Sequence, residues 1–524
     1  MAFWSREWRA RKVLSACGIV VLGAYLVGLG RQLYLRALFP WDLLTVFESS
    51  HLTALIKLHH GVSIYSDPLL ANSEPYPPFA PYVSYALLQP LGLELDIRAC
   101  RVVAITITLL TTAASTVMVR RILDRLGSDL CVLRTLTWPL AGAIFLFIHK
   151  GMNSDQPHPD NLYVLHAVVL WLLLDRAFTS ERLSSAIWAS LWVALAIGIK
   201  QTAWLAPAGV VAVWMLAGPW PLRTRVWLSL LTLTAAATVL WLILRMPNAY
   251  WHLVGAMTNH DVNWLIALGQ LRDVSPMQLW PRPLLLVLTP AAAYLLHRNT
   301  AGRRAAELWV TICLVELGPS VVAFAKEGGN YNNLAALDLW SMLVTAPVLL
   351  SLICPRTGTA EMPADPCLQP IVAALLVGLL LSLYPVKFVP RPAEYSLAQA
   401  IETNVRRDLA AGRKVWVTMG ASARLRAGDT SVPEDTGIGL VTLEMSRVNG
   451  ARALDRIRAR FYDRIYDNFA SLENLASLPR GRYRLVATLP GAPFLDQEYK
   501  GIQDLLISCA VYERDSTAAS THQP

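Results

Sequence analysis

The chain has 524 residues, of which 54% are hydrophobic and only 16% are charged, and its mean hydropathy is +0.41. An ordinary soluble domain is about one-quarter charged, so these values exclude a soluble enzyme and a disordered chain. The 18 Trp residues fit a membrane protein, because Trp favours membrane–water interfaces. In such a protein the net charge of +9 belongs mostly to cytoplasmic loops, and we expect no binding to nucleic acid.

A basic N-terminal segment precedes the first apolar run. Its charges are Arg6, Arg9, Arg11 and Lys12. The run that follows, 13–30, is too long for the core of a signal peptide, and no small-residue cleavage site comes after it. We therefore predict a retained first span with the N-terminus in the cytoplasm. The seven Cys are scattered without a CxxC pair, which indicates neither a disulfide framework nor a zinc site.

Eleven apolar stretches are long enough, or nearly so, to cross a bilayer, which takes about 20 residues of helix. They are 13–33, 102–119, 135–149, 161–175, 184–199, 202–218, 226–245, 283–297, 305–325, 333–353 and 369–386. Arginine clusters then fall on one side, at Arg120, Arg121, Arg125, Arg134, Arg176, Arg182, Arg223, Arg225, Arg298, Arg303 and Arg304. The positive-inside rule makes that side cytoplasmic. The outer connections hold more scattered basic residues, namely Arg98, Arg101, Lys150, Lys200 and Lys326. The sequence thus predicts an all-α polytopic protein of a bacterial plasma membrane.

Two segments lie outside this series of spans. Residues 77–92 are apolar but short and hold four Pro, which favours an interfacial helix on the outer surface. Residues 387–524 carry balanced charges and follow the membrane part, 1–386. There, helix-like stretches at 394–411 and 451–475 alternate with strand-like stretches at Lys414–Met419 and Tyr483–Leu489, which predicts a small α/β domain. An odd number of spans makes this domain extracytoplasmic.

The first outer loop, 34–101, carries two acids, Asp42 and Glu48. Transfer to a hydroxyl needs a group that takes its proton, and a partly desolvated carboxylate can have the raised pKa that such a base requires. Taken alone, the two acids fit better as solvated loop residues, since acids are common in loops.

Further polar groups gather in the other outer connections. His158 and Asp160 begin the fourth span, and Lys200 and Gln201 stand between two closely spaced spans. A Lys at this interface can extend to water without further role, or it can hold a lipid-linked phosphate. The stretch 326–333 (KEGGNYNN) forms a tight polar turn, whose backbone N–H groups are suited to an anion.

Acids inside spans are functional candidates by default. Glu316 and Asp338 are of this kind, and each could instead form a structural pair with a basic residue such as Arg245. We interpret His166 as a core histidine whose hydrogen bonds are satisfied.

The order of these motifs resembles the membrane glycosyltransferases of the C-type fold, a group that includes protein O-mannosyltransferases and the bacterial lipid A aminoarabinose transferase. The resemblance covers about residues 1–350. Its motifs are Asp42 with Glu48, ALIKLHHG at 54–61, Ile64-Tyr65, Tyr76-Pro77-Pro78, His158-Pro159-Asp160, Ile199-Lys200-Gln201-Thr202 and Gly328-Gly329-Asn330-Tyr331-Asn332. The group often has Arg-Pro-Asp where this chain has His158-Pro159-Asp160, so the basic position departs from the pattern.

The resemblance implies that a polyprenyl-phosphate sugar donates its sugar, typically with inversion, to a lipid, polysaccharide or protein acceptor. Asp42 would be the base, and Glu48 the alternative base or its orienting partner. The donor phosphate would be held by Lys200, Lys326 and His158. The remaining substrate contacts would come from Tyr65, Tyr76, Asp160, Gln201, Asn330, Tyr331 and Asn332. No cofactor is implied with certainty, since some members use a divalent metal ion and others use none.

Three alternatives remain open at this stage. A transporter or lipid-linked-sugar flippase would also carry acids inside its spans, although such proteins often show repeated halves and we find no internal repeat. A structural or assembly protein would not need acids, His and Lys gathered on one face. An enzyme that resembles O-antigen ligases and uses a diphosphate carrier is a close neighbour of the favoured function.

Overall fold

The computed structural model describes the chain in segments. These are 2–44, 46–68, 70–126, 130–151, 154–255, 282–298, 307, 312, 316–317, 320–321, 323–325, 331–353, 389–418, 420–436, 439, 461–467, 483–490 and 508–514.

Helices dominate the part of the chain before residue 354. They are α1 (Ala2–Leu38), α2 (Val46–His59), α3 (Phe79–Leu88), α4 (Ile97–Arg125), α5 (Leu130–Gly151), α6 (Pro159–Ser180), α7 (Leu183–Ala194), α8 (Ala206–Ala217), α9 (Leu222–Leu244), α10 (Arg282–Arg298) and α11 (Ala335–Ile353). Short 3-10 turns, Leu195–Gly198 and Gln201–Leu205, connect α7 to α8 on either side of Lys200. The segment predicted to lie along the surface contains the ten-residue helix α3.

Among the residues that the structure describes, four helices are long and apolar enough to cross a membrane: Ala16–Leu38 within α1, and the whole of α4, α6 and α9. Shorter apolar helices at Trp138–His149, Leu183–Gly198, Gln201–Ala217 and Ala335–Ser351 coincide with other predicted spans. The predicted span 369–386 lies outside the described residues, and 305–325 is described only in part. Threonine hydroxyls along α4 donate to the carbonyl four residues earlier, so these groups are satisfied within an apolar layer.

The core of the helical part is centred on α4 and α6. Helix α4 contacts α1, α5, α6 and α11, while α6 packs on α7 and α7 packs on α9. Two fully buried indoles, Trp171 of α6 and Trp214 of α8, belong to this core. Near the C-terminal ends of α4 and α6, the buried carboxylate of Asp175 accepts from Arg121 at 3.3 Å and from Arg125 at 2.6 Å. This contact holds the two helix ends together.

The C-terminal part is a small mixed sheet covered by a helix. Its elements are α12 (Pro392–Ala410), β1 (Val415–Val417), α13 (Ala421–Arg426), β2 (Arg464–Asp467), β3 (Tyr483–Pro490) and β4 (Ser508–Arg514). The strand order is β1–β2–β4–β3, with β1 and β2 parallel and the other neighbours antiparallel. Helix α12 contacts α13, β1, β3 and β4. The predicted helix at 394–411 and the strands at 414–419 and 483–489 are confirmed.

The prediction of a helix over 451–475 is wrong where the structure describes it, because β2 occupies Arg464–Asp467. Ile465 and Tyr466 of this strand are both fully buried, between Arg464 and Asp467. The strand pairs with β1 on one side and β4 on the other, and such packing with neighbouring strands decides β structure more than the local sequence does. The sequence analysis did not predict β4, which lies beside β2.

The first outer loop belongs to the core of the C-terminal part. Phe39, Trp41, Leu43 and Leu44 pack with a cluster that contains Leu397, Ala398, Ile401, Val405, Val415, Val417, Tyr466 and Val511. The indole N–H of Trp41 donates to the Glu402 carboxylate at 3.1 Å. The predicted division after residue 386 lies outside the described residues, but this packing joins the loop to the domain that follows it.

Candidate functional site

Asp42 stands at the end of the loop that leads into α2, and its side chain is fully buried. Its carboxylate accepts hydrogen bonds from the backbone N–H of Ala421 at 2.9 Å and of Ser422 at 3.2 Å, and from the hydroxyl of Ser422. The backbone N–H of Asp42 donates to that hydroxyl in return, at 2.9 Å. The acid therefore lies where the first outer loop meets the start of α13.

Glu48, in the first turn of α2, forms a fully buried ion pair with Arg101 of α4. The guanidinium donates to both carboxylate oxygens, at 2.6 and 2.8 Å, and also to the carbonyl of Trp41 at 2.6 Å. The backbone N–H of Leu44 donates to Glu48 at 3.1 Å. Such two-point pairing fixes orientation as well as charge. Arg101 and Glu48 together hold the loop that carries Asp42 against α4.

A second cluster joins residues from three separate connections. The ammonium of Lys200 lies 2.5 Å from one oxygen of Asp160, and Nδ1 of His158 lies 3.0 Å from the other. The rings of Tyr76 and His158 meet edge to face at 5.3 Å. The side-chain amide of Gln201 donates to the carbonyl of Pro75 at 2.6 Å. Five of the predicted site residues (Tyr76, His158, Asp160, Lys200 and Gln201) are thus brought together.

The start of α6 explains the placement of this cluster. His158 is the N-cap residue, with extended backbone, and its ring accepts from the backbone N–H of Asp160 at 3.2 Å. Pro159 follows at the first helical position, where its missing N–H costs no hydrogen bond. The sequence His-Pro-Asp therefore turns the chain into the helix and presents Asp160 in its first turn.

The sequence analysis did not assign a role to Glu74, which lies two residues before Tyr76. Its carboxylate is 5% exposed and accepts from the Ser50 hydroxyl of α2 at 3.2 Å. Burial raises the pKa of Glu74 to about 7, although the hydrogen bond from Ser50 opposes this shift. The signal that would have found it is an acid immediately before the Tyr-Pro-Pro motif.

Lys57 was likewise not singled out, although it lies in the motif at 54–61. Its ammonium is buried and donates to the carbonyls of Ile64 at 3.0 Å and Asn72 at 2.7 Å, and to the Ser66 hydroxyl at 2.7 Å. Burial lowers the pKa of Lys57 to about 7, against the opposing influence of Glu74. Lys57 thereby closes the loop 64–72 onto α2.

Two further ring side chains are buried in this region, Tyr65 in the loop itself and His51 on α2. Tyr65 is 1% exposed, and its hydroxyl donates to the Tyr76 carbonyl at 2.8 Å. His51 shares a hydrogen bond with the Ser84 hydroxyl at 3.0 Å. Burial, together with the nearby His158, lowers the pKa of His51 to about 3, so this ring stays neutral. Tyr65 reaches the cluster through the backbone of Tyr76.

The structure describes little or nothing of the predicted site residues between 326 and 332. Lys326 and Asn330 lie outside the described residues. Tyr331 and Asn332 are described as backbone only, in the 3-10 turn Tyr331–Leu334 that leads into α11. The same turn is tied to the preceding helical segment by Asn333, whose amide donates to the Ala323 carbonyl at 3.3 Å.

Of the two acids predicted inside spans, Glu316 accepts from the Tyr163 hydroxyl at 2.9 Å, whereas the Arg245 guanidinium lies over the Trp241 ring. His166 is buried in the core and bonds the Trp192 carbonyl at 2.7 Å through Nε2, but its Nδ1 has no partner among the described residues, so this histidine is satisfied only in part. Within the described segments, no three His, Cys, Asp or Glu side chains lie close enough to share a metal ion.

The chain is similar to solved structures of membrane proteins over most of its length. ArnT of Cupriavidus metallidurans in the apo state gives a TM-score of 0.53 at 14% identity, covering 97% of this chain and 100% of that one. The same protein bound to undecaprenyl phosphate gives 0.50 at 13% identity, covering 98% and 99%. The Archaeoglobus fulgidus oligosaccharyltransferase tethered with an acceptor peptide gives 0.53 at 12% identity, covering 88% and 71%.

No family model and no curated protein matches the sequence. The structural likeness identifies the fold, and the C-type fold implied by the order of the motifs is confirmed.

Proposed function

We propose that this chain is a membrane glycosyltransferase that takes a sugar from a polyprenyl-phosphate carrier and transfers it to a lipid, glycan or protein acceptor. The observation that carries the proposal is the contact of the first outer loop, at Pro75 and Tyr76, with the Lys200–Asp160–His158 cluster and Gln201, in a fold shared with ArnT, whose structure holds undecaprenyl phosphate. A transporter or flippase is not favoured by this likeness. We further propose an extracytoplasmic site and a cytoplasmic N-terminus.

In this proposal the donor phosphate binds at Lys200. An ammonium has three N–H donors, and among the described residues only Asp160 accepts from this one. Positive charge at this position would stabilise the negative charge that develops on the leaving phosphate. His158 lies beside it, and Lys326, with the turn at 330–332, would complete the donor site.

Asp42 is the proposed base. As the acceptor oxygen bonds to the anomeric carbon, the bond from that carbon to the phosphate oxygen breaks and polyprenyl phosphate leaves with the electron pair. The hydroxyl proton passes to Asp42. Glu48 takes the orienting role, because its two-point pairing with Arg101 commits both of its oxygens. The Tyr65 hydroxyl holds the backbone of Tyr76 in position. Tyr76 and Gln201 then lie at the edge of the proposed donor site.

Transfer by the purified Asp42→Asn variant tests this proposal against the wild type. The substrates are radiolabelled polyprenyl-phosphate sugars with total lipid and polysaccharide as acceptors, and carrier binding is measured in parallel. We expect the variant to bind carrier without turnover. Asp67→Asn, an exposed acid of the same loop, serves as the matched control and should retain turnover. A wild type that binds no polyprenyl-phosphate sugar would remove the main support for the proposal.

A further inference from the structure

A cavity of about 250 Å³ opens in the C-terminal part, between the end of α12, β1 and the segment 429–435. Six charged side chains contribute to its wall: Arg413, Lys414, Arg424, Asp429, Glu434 and Asp435. Three are basic and three are acidic, so their formal charges cancel. An anion-binding cavity would carry an excess of positive charge, and this balance instead favours a neutral ligand that is rich in hydrogen-bonding groups.

Four of the six charged side chains form two mixed pairs within the wall, while Arg413 pairs with Asp408 and Asp435 accepts from the Tyr462 hydroxyl. Arg424 lies 2.5 Å from Asp429, and Lys414 lies 3.3 Å from Glu434. Lys414 and Glu434 are each about two-fifths exposed, at 42% and 41%. A hydroxyl is the group that both donates and accepts, so a polyhydroxylated ligand matches this mixed wall.

Trp416 of β1 provides an independent observation. Its indole lines the cavity, is 3% exposed and stacks on the Tyr462 ring at 5.5 Å. The indole N–H has no acceptor among the described residues. Buried Trp N–H groups usually have a partner, and an unsatisfied one costs free energy. Because this nitrogen has almost no accessible surface, a ligand hydroxyl in the cavity would reach it after a small movement of the wall and would then supply the acceptor.

The cavity is attached to the first outer loop through its own wall. The amide of Asn72 donates to the Pro433 carbonyl at 2.5 Å, and the backbone N–H of Thr436 donates to the Ala71 carbonyl at 2.7 Å. Asn72 also accepts from Lys57, which orders the loop before Glu74 and Tyr76. A ligand in this cavity would therefore be held next to the loop that carries the proposed base.

We propose that this cavity binds one neutral sugar residue of the acceptor. The proposal rests on the glycosyltransferase function proposed above and specifies the acceptor class as a glycan or glycolipid. The volume, below the range of about 300–1,000 Å³ found for larger small-molecule sites, suits a single sugar ring.

Ligand-observed saturation-transfer NMR on the intact protein in detergent tests the proposal. The probes are methyl α-D-mannopyranoside, methyl β-D-glucopyranoside and methyl β-D-galactopyranoside, with inorganic phosphate as the anionic probe. We expect at least one glycoside to bind the wild type and phosphate not to displace it. Trp416→Phe and Glu434→Gln should each weaken binding by about tenfold, because the first removes a hydrogen-bond donor and the second replaces a charged acceptor by a weaker, neutral one. Glu434→Gln changes a half-exposed side chain and keeps the test valid if Trp416→Phe does not fold.

Two controls separate this cavity from the rest of the protein. Glu513→Gln alters an acid of β4 that pairs with Arg464 at 3.2 Å outside the cavity, and Lys200→Met alters the proposed donor site. Both should leave glycoside binding unchanged. If the wild type transfers sugar but binds no glycoside, binds phosphate instead, or is insensitive to Glu434→Gln, the cavity proposal is overturned while the enzymatic function stands. If the wild type neither binds carrier nor transfers sugar, the proposed function is overturned, and the cavity proposal that rests on it is overturned with it.

Discussion

The hydroxyl of Ser422 donates a hydrogen bond to the Asp42 carboxylate and accepts one from the Asp42 backbone N–H. The two residues are 380 positions apart in the sequence. The proposed base is therefore held in place by the C-terminal part of the chain, although the spans separate the two residues in sequence.

Replacing Ser422 by Ala should lower turnover about tenfold and leave carrier affinity unchanged. The change removes the side-chain contacts to Asp42 but keeps the two backbone donors, and a loss near 1.4 kcal/mol corresponds to a factor of ten in rate. Steady-state turnover at saturating carrier measures the effect. Ser396→Ala is the matched control, since that exposed hydroxyl bonds only the Pro392 carbonyl of its own helix among the described residues. Equal turnover in both variants would show that Ser422 does not position Asp42.

Replacing Arg101 by Met should destabilise the protein strongly, because Glu48 would stay buried without its charged partner. Removal of one member of a buried pair costs about 3–5 kcal/mol. Thermal unfolding in detergent should show a lower Tm, and the double variant Arg101→Met, Glu48→Leu should recover part of the loss. Arg98→Met provides the comparison, since the Arg98–Asp96 pair is exposed and such pairs contribute about 0–1 kcal/mol. A small effect at position 101 would contradict a fully buried pair.

The pKa of Glu74 predicts a pH dependence of stability. Because burial raises this pKa from its ordinary value of 4.5 to about 7, the folded state binds more protons than the unfolded state between these values. Its contribution to stability is therefore lost as pH rises from about 4.5 through about 7. The Glu74→Gln variant has no carboxyl group to titrate at this position. The Tm of the variant minus the Tm of the wild type should therefore increase as the pH rises over that interval.

The difference between the two Tm curves, measured from pH 4 to 8, isolates Glu74, since the other carboxylates contribute to both proteins. Lys57 acts in the opposite direction at higher pH, because its pKa is lowered and stability should rise with pH above about 7. Parallel Tm curves for wild type and Glu74→Gln would mean that Glu74 is solvated.

The sequence predicted the long apolar helices that the structure describes, because runs such as 226–245 require a membrane or a core wherever they lie. It also predicted that His158, Asp160 and Lys200 would share one face, since a consistent division into spans places all three at the same membrane surface. The structure brings the three side chains into contact, at 2.5 and 3.0 Å, while their position at the membrane surface stays a prediction.

Contacts between distant segments were not predictable. Arg101 was grouped with scattered basic residues of the outer side, yet it is fully buried on Glu48, because only the path of the loop brings α2 and α4 together. Nothing in the sequence near Ser422 indicates that it faces Asp42. The strand β2 was predicted as a helix because its sheet partners come from elsewhere in the chain.

The packing of Trp41 against the C-terminal part also sets an order of events during synthesis. Trp41 and its partner Glu402 are separated by 361 residues. At about 5–20 residues per second, the loop waits roughly 20–70 s for the residues that bury it. During that interval Phe39 and Trp41 would remain uncovered, next to a membrane surface that can shelter aromatic rings. The acidic loop thus acquires its final packing only after the later helices are inserted, which makes maturation of the site one of the last steps in folding.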